Sequence, residues 1–520
     1  MRKTTSWKIL FGLLPALGLL AGCGGPSASS TASGTDTGNS ATSSPDISGG
    51  GIPIPAQDNI KLEFWATGSQ GMNEQLEALS KRFSAAIKAN TGKTVEIEVS
   101  VAGGYDDIAN KLTKGLAVGN IPTMAIAYPD TVANILAAEP NPGDYIYDLA
   151  AYMTDPRIGF ATQSYLGDFP KETDPGVADA TADDIVPSFL EEGSSYTRKG
   201  TYSFTFMKST EVMFYNRTYL MKAYKFYKPN IATIDKAEED LRSLNWEQFM
   251  ELCRVINEHK ADIVSTLELP LWYDSDSNLF ISQLYQRGIG YSAIGEDGKG
   301  AISFESGDNR AAAEAVVSNL VDAHNKNLFT TKGVVNKYGS DYFKSSKILF
   351  NIGSSGGTGY NMPEDANPSE IGVCPVPAAN GNPLYVSQGP TMTFLKNKGK
   401  DASANDACMY YAWQFAKYLT NPHNNVQLCI RGSQGYLPIR YSAYQTKNYV
   451  NYLQEGEIYA ASAKVLINEI DGKYYNAPCF PGSSQLRDAV GGIITQCLTG
   501  NKQVSAAFND AIAQAKTSMK

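Results

Sequence analysis

Histidine is scarce: the 520 residues hold three, His259, His324 and His423. That shortage bears on the one stretch that looks like a catalytic motif. Residues 353–357, Gly-Ser-Ser-Gly-Gly, fit the G-x-S-x-G pattern of a hydrolase nucleophile elbow centred on Ser355. Such a serine needs a general base, and the elbow's triad runs serine, acid, histidine in chain order. Only His423 follows Ser355, in a stretch (420–424) that reads as a turn between helices. Metal and nucleotide signatures are missing too. There is no H-E-x-x-H, no C-x-x-C and no G-x-x-x-x-G-K-[ST]. Asp274-Ser275-Asp276-Ser277-Asn278 opens like a calcium loop but lacks the following glycine and the closing glutamate, and reads as an ordinary loop. Neither a cofactor, a metal nor an enzymatic activity is expected. The apolar run 9–20 is too short to span a bilayer, and no later run is long enough either. The balance of 44 basic to 53 acidic side chains, a net charge of −9, argues against nucleic acid as a partner.

The first residues carry the most specific signal. Arg2, Lys3 and Lys8 precede the apolar run 9–20, which has the length of a signal-peptide core. Leu20-Ala21-Gly22-Cys23 then has the form of a bacterial lipobox, so residues 1–22 are expected to be removed and Cys23 to be lipidated. The chain from Cys23 would carry −12, having lost three cations and no acid. Residues 24–51 are nearly all Ser, Thr, Gly, Ala and Asn, a composition that buries no core and suits a flexible tether. The expected location is extracytoplasmic, anchored to the bacterial cell membrane through the lipid alone. Six further cysteines lie at irregular spacing, and both disulfides and free thiols stay open.

The globular part is α/β in pattern. Residues 61–66 alternate as a strand, and Leu76, Leu79, Phe83 and Ile87 recur at helical spacing behind a possible Asn73 cap. Val95, Ile97, Val99 and Val101 mark a second strand, 105–118 a second helix stopped by Gly119, and 124–128 a third strand. This β-α-β-α-β order predicts parallel strands. Residues 201–206 and 211–215 read as adjacent strands. Asn245 with Gln248 forms a capping box for a helix through 259. Strands are predicted at 347–352 and 391–395, and helices at 407–419, 488–498 and 504–516.

Several stretches resemble the extracellular solute-binding proteins of ABC importers, the large family that includes maltose-binding proteins. These are the aromatic-led helix from Tyr105-Asp106-Asp107 to Gly119-Asn120-Ile121-Pro122, the strand end Val212-Met213-Phe214-Tyr215-Asn216, the helix start Asn245-Trp246-Glu247-Gln248-Phe249, and the helix 412–420 followed by Pro422. Gly435-Tyr436-Leu437-Pro438-Ile439 and Gln485-Leu486-Arg487 are similar to the family's glycerol-3-phosphate-binding branch. The resemblance implies a two-lobe periplasmic-binding-protein fold with a ligand cleft between the lobes and several hinge crossings. The expected division is 1–22 signal peptide, 23–59 lipidated cysteine and tether, 60–170 plus 350–400 one lobe, 171–349 plus 401–520 the other. It implies ligand contacts at Tyr105, Ser354, Ser355, Gly389, Tyr436 and Arg487, with Ser209 a further contributor. Two departures from the branch are expected on the cleft wall: Asp130 stands one place beyond the branch's glutamate, and a tryptophan-rich stretch is reduced to Trp272-Tyr273.

The chemistry of these residues suits a polyol or sugar, which offers hydroxyls and apolar C–H faces to aromatic walls and a few fixed polar groups. Arg487 could fork onto a phosphate or onto vicinal hydroxyls, whereas Asp130 suits neutral hydroxyls. The glycine-rich loop lets backbone N–H groups approach a ligand. The expected protein is a monomeric receptor that captures a sugar, oligosaccharide or glycerol phosphate and hands it to an ABC permease. A surface hydrolase using Ser355 and a lipoprotein without a transport role are the alternatives.

Overall fold

The computed structural model describes residues 51–67, 70–160, 182–363, 370–432 and 434–519. The signal segment, Cys23 and the tether through residue 50 lie outside the described residues.

Two five-stranded sheets organise the chain. The first is built from β1 (Asn59–Ala66), β2 (Thr94–Val101), β3 (Met124–Ala127), a short β4 (Ser203–Thr205) and, far later, a strand at Thr391–Phe394. β1 buries Ile60, Leu62, Phe64 and Ala66, the alternation expected of a strand. It pairs in parallel with β2 and β3. Helices cover both faces. α1 (Gln70–Thr91) packs Phe83 against Phe415, whereas α2 (Tyr105–Val118) and α3 (Pro129–Ala138) cover Ala125 and Ala127 on the other side. Asn73 falls inside α1 rather than capping it, because the helix begins three residues earlier.

The second sheet joins β5 (Glu211–Asn216), β6 (Leu269–Tyr273), β7 (Phe329–Thr331), β8 (Ile348–Ser354) and β9 (Ile371–Pro375) in the order β9-β5-β8-β6-β7. β8 runs parallel to β6 and antiparallel to β5. β10 is the strand Thr391–Phe394, antiparallel to β3 and β4 in the first sheet. α4 (Asp276–Gln286) follows β6 with Ser275 as its cap, so the calcium-like run is a helix start. The capping box of Asn245 and Gln248 is present on the helix Trp246–Glu258.

Three expectations are corrected here. β4 and β5 are not neighbours: the chain crosses between sheets at 206–210. Residues 350–354 and 371–375 belong to the second sheet rather than the first lobe, because β8 pairs with β5 and β6 and β9 pairs with β5. α5 (Ala402–Leu419) belongs with the first sheet, where it packs on β1 and α1 and sets Trp413 among Phe160, Phe204 and Phe394. The six cysteines beyond Cys23 are buried free thiols.

The architecture is the two-lobe periplasmic-binding-protein fold, and three crossings run side by side between the lobes. Ser209 and Gln388 exchange backbone hydrogen bonds of 2.9 Å, and Lys208 and Leu437 exchange bonds of 3.1 and 2.6 Å. Residues 206–210, 387–390 and 434–438 thus form a small ladder. At its centre Lys208, fully buried, sits 2.5 Å from the Glu192 carboxylate and donates to the Gly389 carbonyl at 3.3 Å. Gly389 has φ of 112°, and a side chain there would come within 2.8 Å of the Met207 carbonyl. Only glycine fits that closeness and that φ.

Candidate functional site

The lobes enclose a cavity of ≈ 800 Å³ at the carboxyl ends of β3, β6 and β8. Open α/β sheets place ligands outside such strand ends. The first lobe contributes Tyr128, Pro129 and Asp130, directly after β3; the second contributes Asp274 and Ser275 after β6 and Ser354 at the end of β8. Arg487 reaches in from the first turns of α6 (Ser483–Leu498) and donates to the Asn278 Oδ1. The crossing 387–390 supplies Ser387, Gln388 and Gly389.

Of the nine side-chain and backbone positions expected at the site, Asp130, Ser354, Gly389 and Arg487 line the cavity. Tyr105, Ser209 and Tyr436 stand directly behind the wall. The Tyr105 ring is 4.6 Å from that of Tyr128, its hydroxyl interacts with Tyr436, and Ser209 Oγ lies 3.5 Å from Ser354 Oγ. Trp272 and Ser355 do not reach the cavity. Trp272, 1% exposed, stacks on Tyr342 at 4.3 Å. Ser355 is fully buried, and its hydroxyl donates to the Gly435 carbonyl at 2.7 Å. A hydroxyl committed to a carbonyl is poorly placed to surrender its proton to a base. The helix after Ser354 is a single 3₁₀ segment, Ser355–Asn361, and it offers no long dipole to a ligand. The loop's glycine at 356 has a packing purpose instead: a side chain there would come within 2.7 Å of the Tyr436 ring.

Residues that sequence reasoning missed complete the wall. Glu211 opens β5, and Asn278, Tyr291, Asn476 and Ser483 converge from α4 and from the later loops. A glutamate opening the otherwise apolar run Glu211-Val-Met-Phe-Tyr was the available signal. Five wall residues each carry a buried polar atom with no hydrogen bond among the described residues: Glu211 Oε1, Tyr291 Oη, Ser387 Oγ, Asn476 Oδ1 and Ser483 Oγ. Unsatisfied buried groups each cost about 1–3 kcal/mol. Concentrated in one cavity wall, they favour an occupant rich in hydroxyls.

Burial raises the acids of this wall. It pushes Glu211 up to about 7, against hydrogen bonding from Tyr273 and Asn278 and the charge of Arg487, while Asp274 adds repulsion. It pushes Asp274 up to about 6 and also raises Asp130. The sign for stability follows. Unfolded, Glu211 titrates at its ordinary value of 4.5; folded, it keeps its proton to about pH 7. Between those values the folded state binds the extra proton, so its stability falls as pH rises. Wild type compared with Glu211→Gln in urea titrations is expected to lose about 3 kcal/mol of relative stability between pH 4.5 and pH 8. A flat difference would show that Glu211 is not buried as described.

Residues 81–454 match the family of bacterial extracellular solute-binding proteins. Three solved structures share the fold. The GacH receptor of Streptomyces glaucescens, solved unliganded and with acarbose and an acarbose homolog, is 17% identical; the match covers 89% of this chain and 100% of that one, with a TM-score of 0.59. The cyclic α-maltosyl-1,6-maltose binding protein of Arthrobacter globiformis is 15% identical over 89% of this chain and 99% of its own, with a TM-score of 0.60. UgpB of Mycobacterium tuberculosis, solved with glycerophosphocholine, is 16% identical over 88% of this chain and 98% of its own, with a TM-score of 0.61. A comparison with curated proteins returned no match. With this match spanning most of both lobes and their crossings, the chain belongs to the bacterial extracellular solute-binding protein family.

Proposed function

We propose that the protein is the solute-binding component of an ABC importer, held at the outer face of the cell membrane by a lipid on Cys23, and that it captures a sugar or oligosaccharide between its lobes for delivery to the permease. The observation that carries this reading is the ≈ 800 Å³ cavity with five unpartnered polar atoms in its wall. A saccharide supplies hydroxyls that both donate and accept, which suits a wall mixing Tyr, Ser, Asn and carboxyl groups. Tyr128 and Tyr360 offer aromatic surface to the C–H faces. Asp130, Tyr105, Ser209, Ser354, Gly389, Tyr436 and Arg487 are the proposed binding and supporting residues, now joined by Glu211, Asn278 and Tyr291. The carboxyls favour a sugar over a glycerol phosphate, because Asp130 and Asp274, joined by Glu211 above about pH 7, would repel a phosphate, and Arg487 is the one cation among the described wall residues. Delivery requires the lobes to open and close about the three crossings.

A thermal-shift panel tests the reading. Neutral di- and oligosaccharides should include at least one that stabilises the protein by about 2.7 kcal/mol at a hundredfold excess over its Kd, with sn-glycerol 3-phosphate weaker. Stabilisation by none of them, together with ester turnover abolished by Ser355→Ala, would sink it.

A further inference from the structure

The charges of the cavity do not balance. Among the described residues five carboxyls line it, Asp130, Glu192, Glu211, Asp274 and Asp341, against the single cation Arg487. Two of the five are answered elsewhere. Glu192 is bridged to buried Lys208 at 2.5 Å, and exposed Asp341 lies 3.6 Å from Lys344. Asp130, Glu211 and Asp274 remain; Arg487, the one wall cation among the described residues, acts on Asp130 and Glu211, and Lys332, outside the wall, acts on Asp274.

The partners of the three are incomplete. Asp130 accepts from the Thr131 backbone at 2.7 Å. Asp274 accepts from the Gly339 N–H at 2.7 Å and from Asn351 at 3.3 Å. Glu211 accepts the Tyr273 hydroxyl at 2.7 Å on Oε2 and is also favoured by hydrogen bonding from Asn278, while its Oε1 has no hydrogen bond of normal geometry among the described residues although the residue is 3% exposed. Glu211 and Asp274 flank the end of β8 from opposite sides. Glu211 pairs with Ser354, and the Asp274 backbone N–H donates to the Ile352 carbonyl at 2.8 Å. Two acids are thus brought to one strand end, Glu211 buried and Asp274 half-buried, with no lysine or second arginine among the described wall residues. A buried charge is tolerated when it is paired, and the pair need not be intramolecular. Neutral hydroxyls could fill the hydrogen bonds, but above about pH 7, where Glu211 and Asp274 are both ionised, they would leave the excess negative charge in place.

We propose that the solute carries a protonated amine, so that the cleft selects an amine-bearing saccharide whose nitrogen is held between Glu211 and Asp274. This rests on the sugar-binding reading of the same cleft and narrows it. The carboxylates would supply the acceptors that an ammonium needs, and Arg487 on the far side would serve hydroxyls of the same molecule. Burial of Glu211 and Asp274 raises both acids, so binding an ammonium would release protons at neutral pH.

The test uses three disaccharides of matched size with the full-length protein at pH 7.5: the chitosan disaccharide with free amines, its N,N′-diacetyl form, and cellobiose. Calorimetry should show the free-amine form binding about 10- to 100-fold more tightly than the other two. The preference should shrink to about one in Glu211→Gln and, should that variant not fold, in Asp274→Asn. Equal affinities, a preference for the acetylated or neutral sugar, or no binding of the free-amine form would each overturn the inference. Binding of cellobiose in the same titrations would preserve the sugar reading in those cases, which keeps the two failures apart.

Discussion

Lys208→Met is expected to destabilise the protein by about 3–5 kcal/mol, because it leaves the Glu192 carboxylate buried without its cation. Lys208 is fully buried, and its ammonium is the shared partner of Glu192 and of the Gly389 carbonyl. Its backbone holds the 434–438 crossing through Leu437, and its neighbour Ser209 holds the 387–390 crossing through Gln388. The same residue therefore ties three crossings and neutralises the one acid beneath them. Urea denaturation measures the loss. Removing both charges, Lys208→Met with Glu192→Leu, should recover most of it, since an apolar pair leaves no uncompensated charge. A single-variant loss below about 1 kcal/mol, the range of an exposed ion pair, would show that the bridge is not sealed from water.

The second large effect concerns binding. Arg487→Ala should weaken the best saccharide by about 10- to 150-fold, the loss of one hydrogen bond to a charged donor. Arg487 is the only cation among the described cavity residues, and its guanidinium is oriented by Asn278. Lysine at 487 would keep the charge but lose the planar fork, so it should restore affinity only in part. An unchanged Kd in Arg487→Ala, measured by calorimetry, would place the solute elsewhere in the cleft.

Much of the first lobe was legible because its elements are amphipathic. The alternation in β1 and the stripe Leu76, Leu79, Phe83 and Ile87 in α1 report burial on one face, and burial is what the sequence pattern encodes. The capping box at Asn245 was legible because its chemistry is local. Sheet membership was not. β8 is buried from Ile348 to Gly353, and a run buried on both faces carries no mark of its partner. The site was read in part for the same reason. Ser354 and Ser355 are adjacent, yet the end of β8 sends one to the cavity and the other under Gly435. Trp272 lies on a strand whose pairing was unknown, so its burial beside Tyr342 could not be read. Glu211, Asn278, Tyr291 and Asn476 span more than 260 positions and meet only through the fold.

Capture between moving lobes is the central claim, and a distance across the cleft tests it most directly. The six cysteines beyond Cys23 are buried, so dyes can be placed selectively at Val118→Cys on the first lobe and Lys225→Cys on the second, both exposed. Single-molecule energy transfer on the protein lacking residues 1–23 should show one population moving to a new, discrete distance as saccharide is added, with a midpoint equal to the calorimetric Kd. A saccharide that binds with the same Kd while the distance distribution stays unchanged would contradict the account.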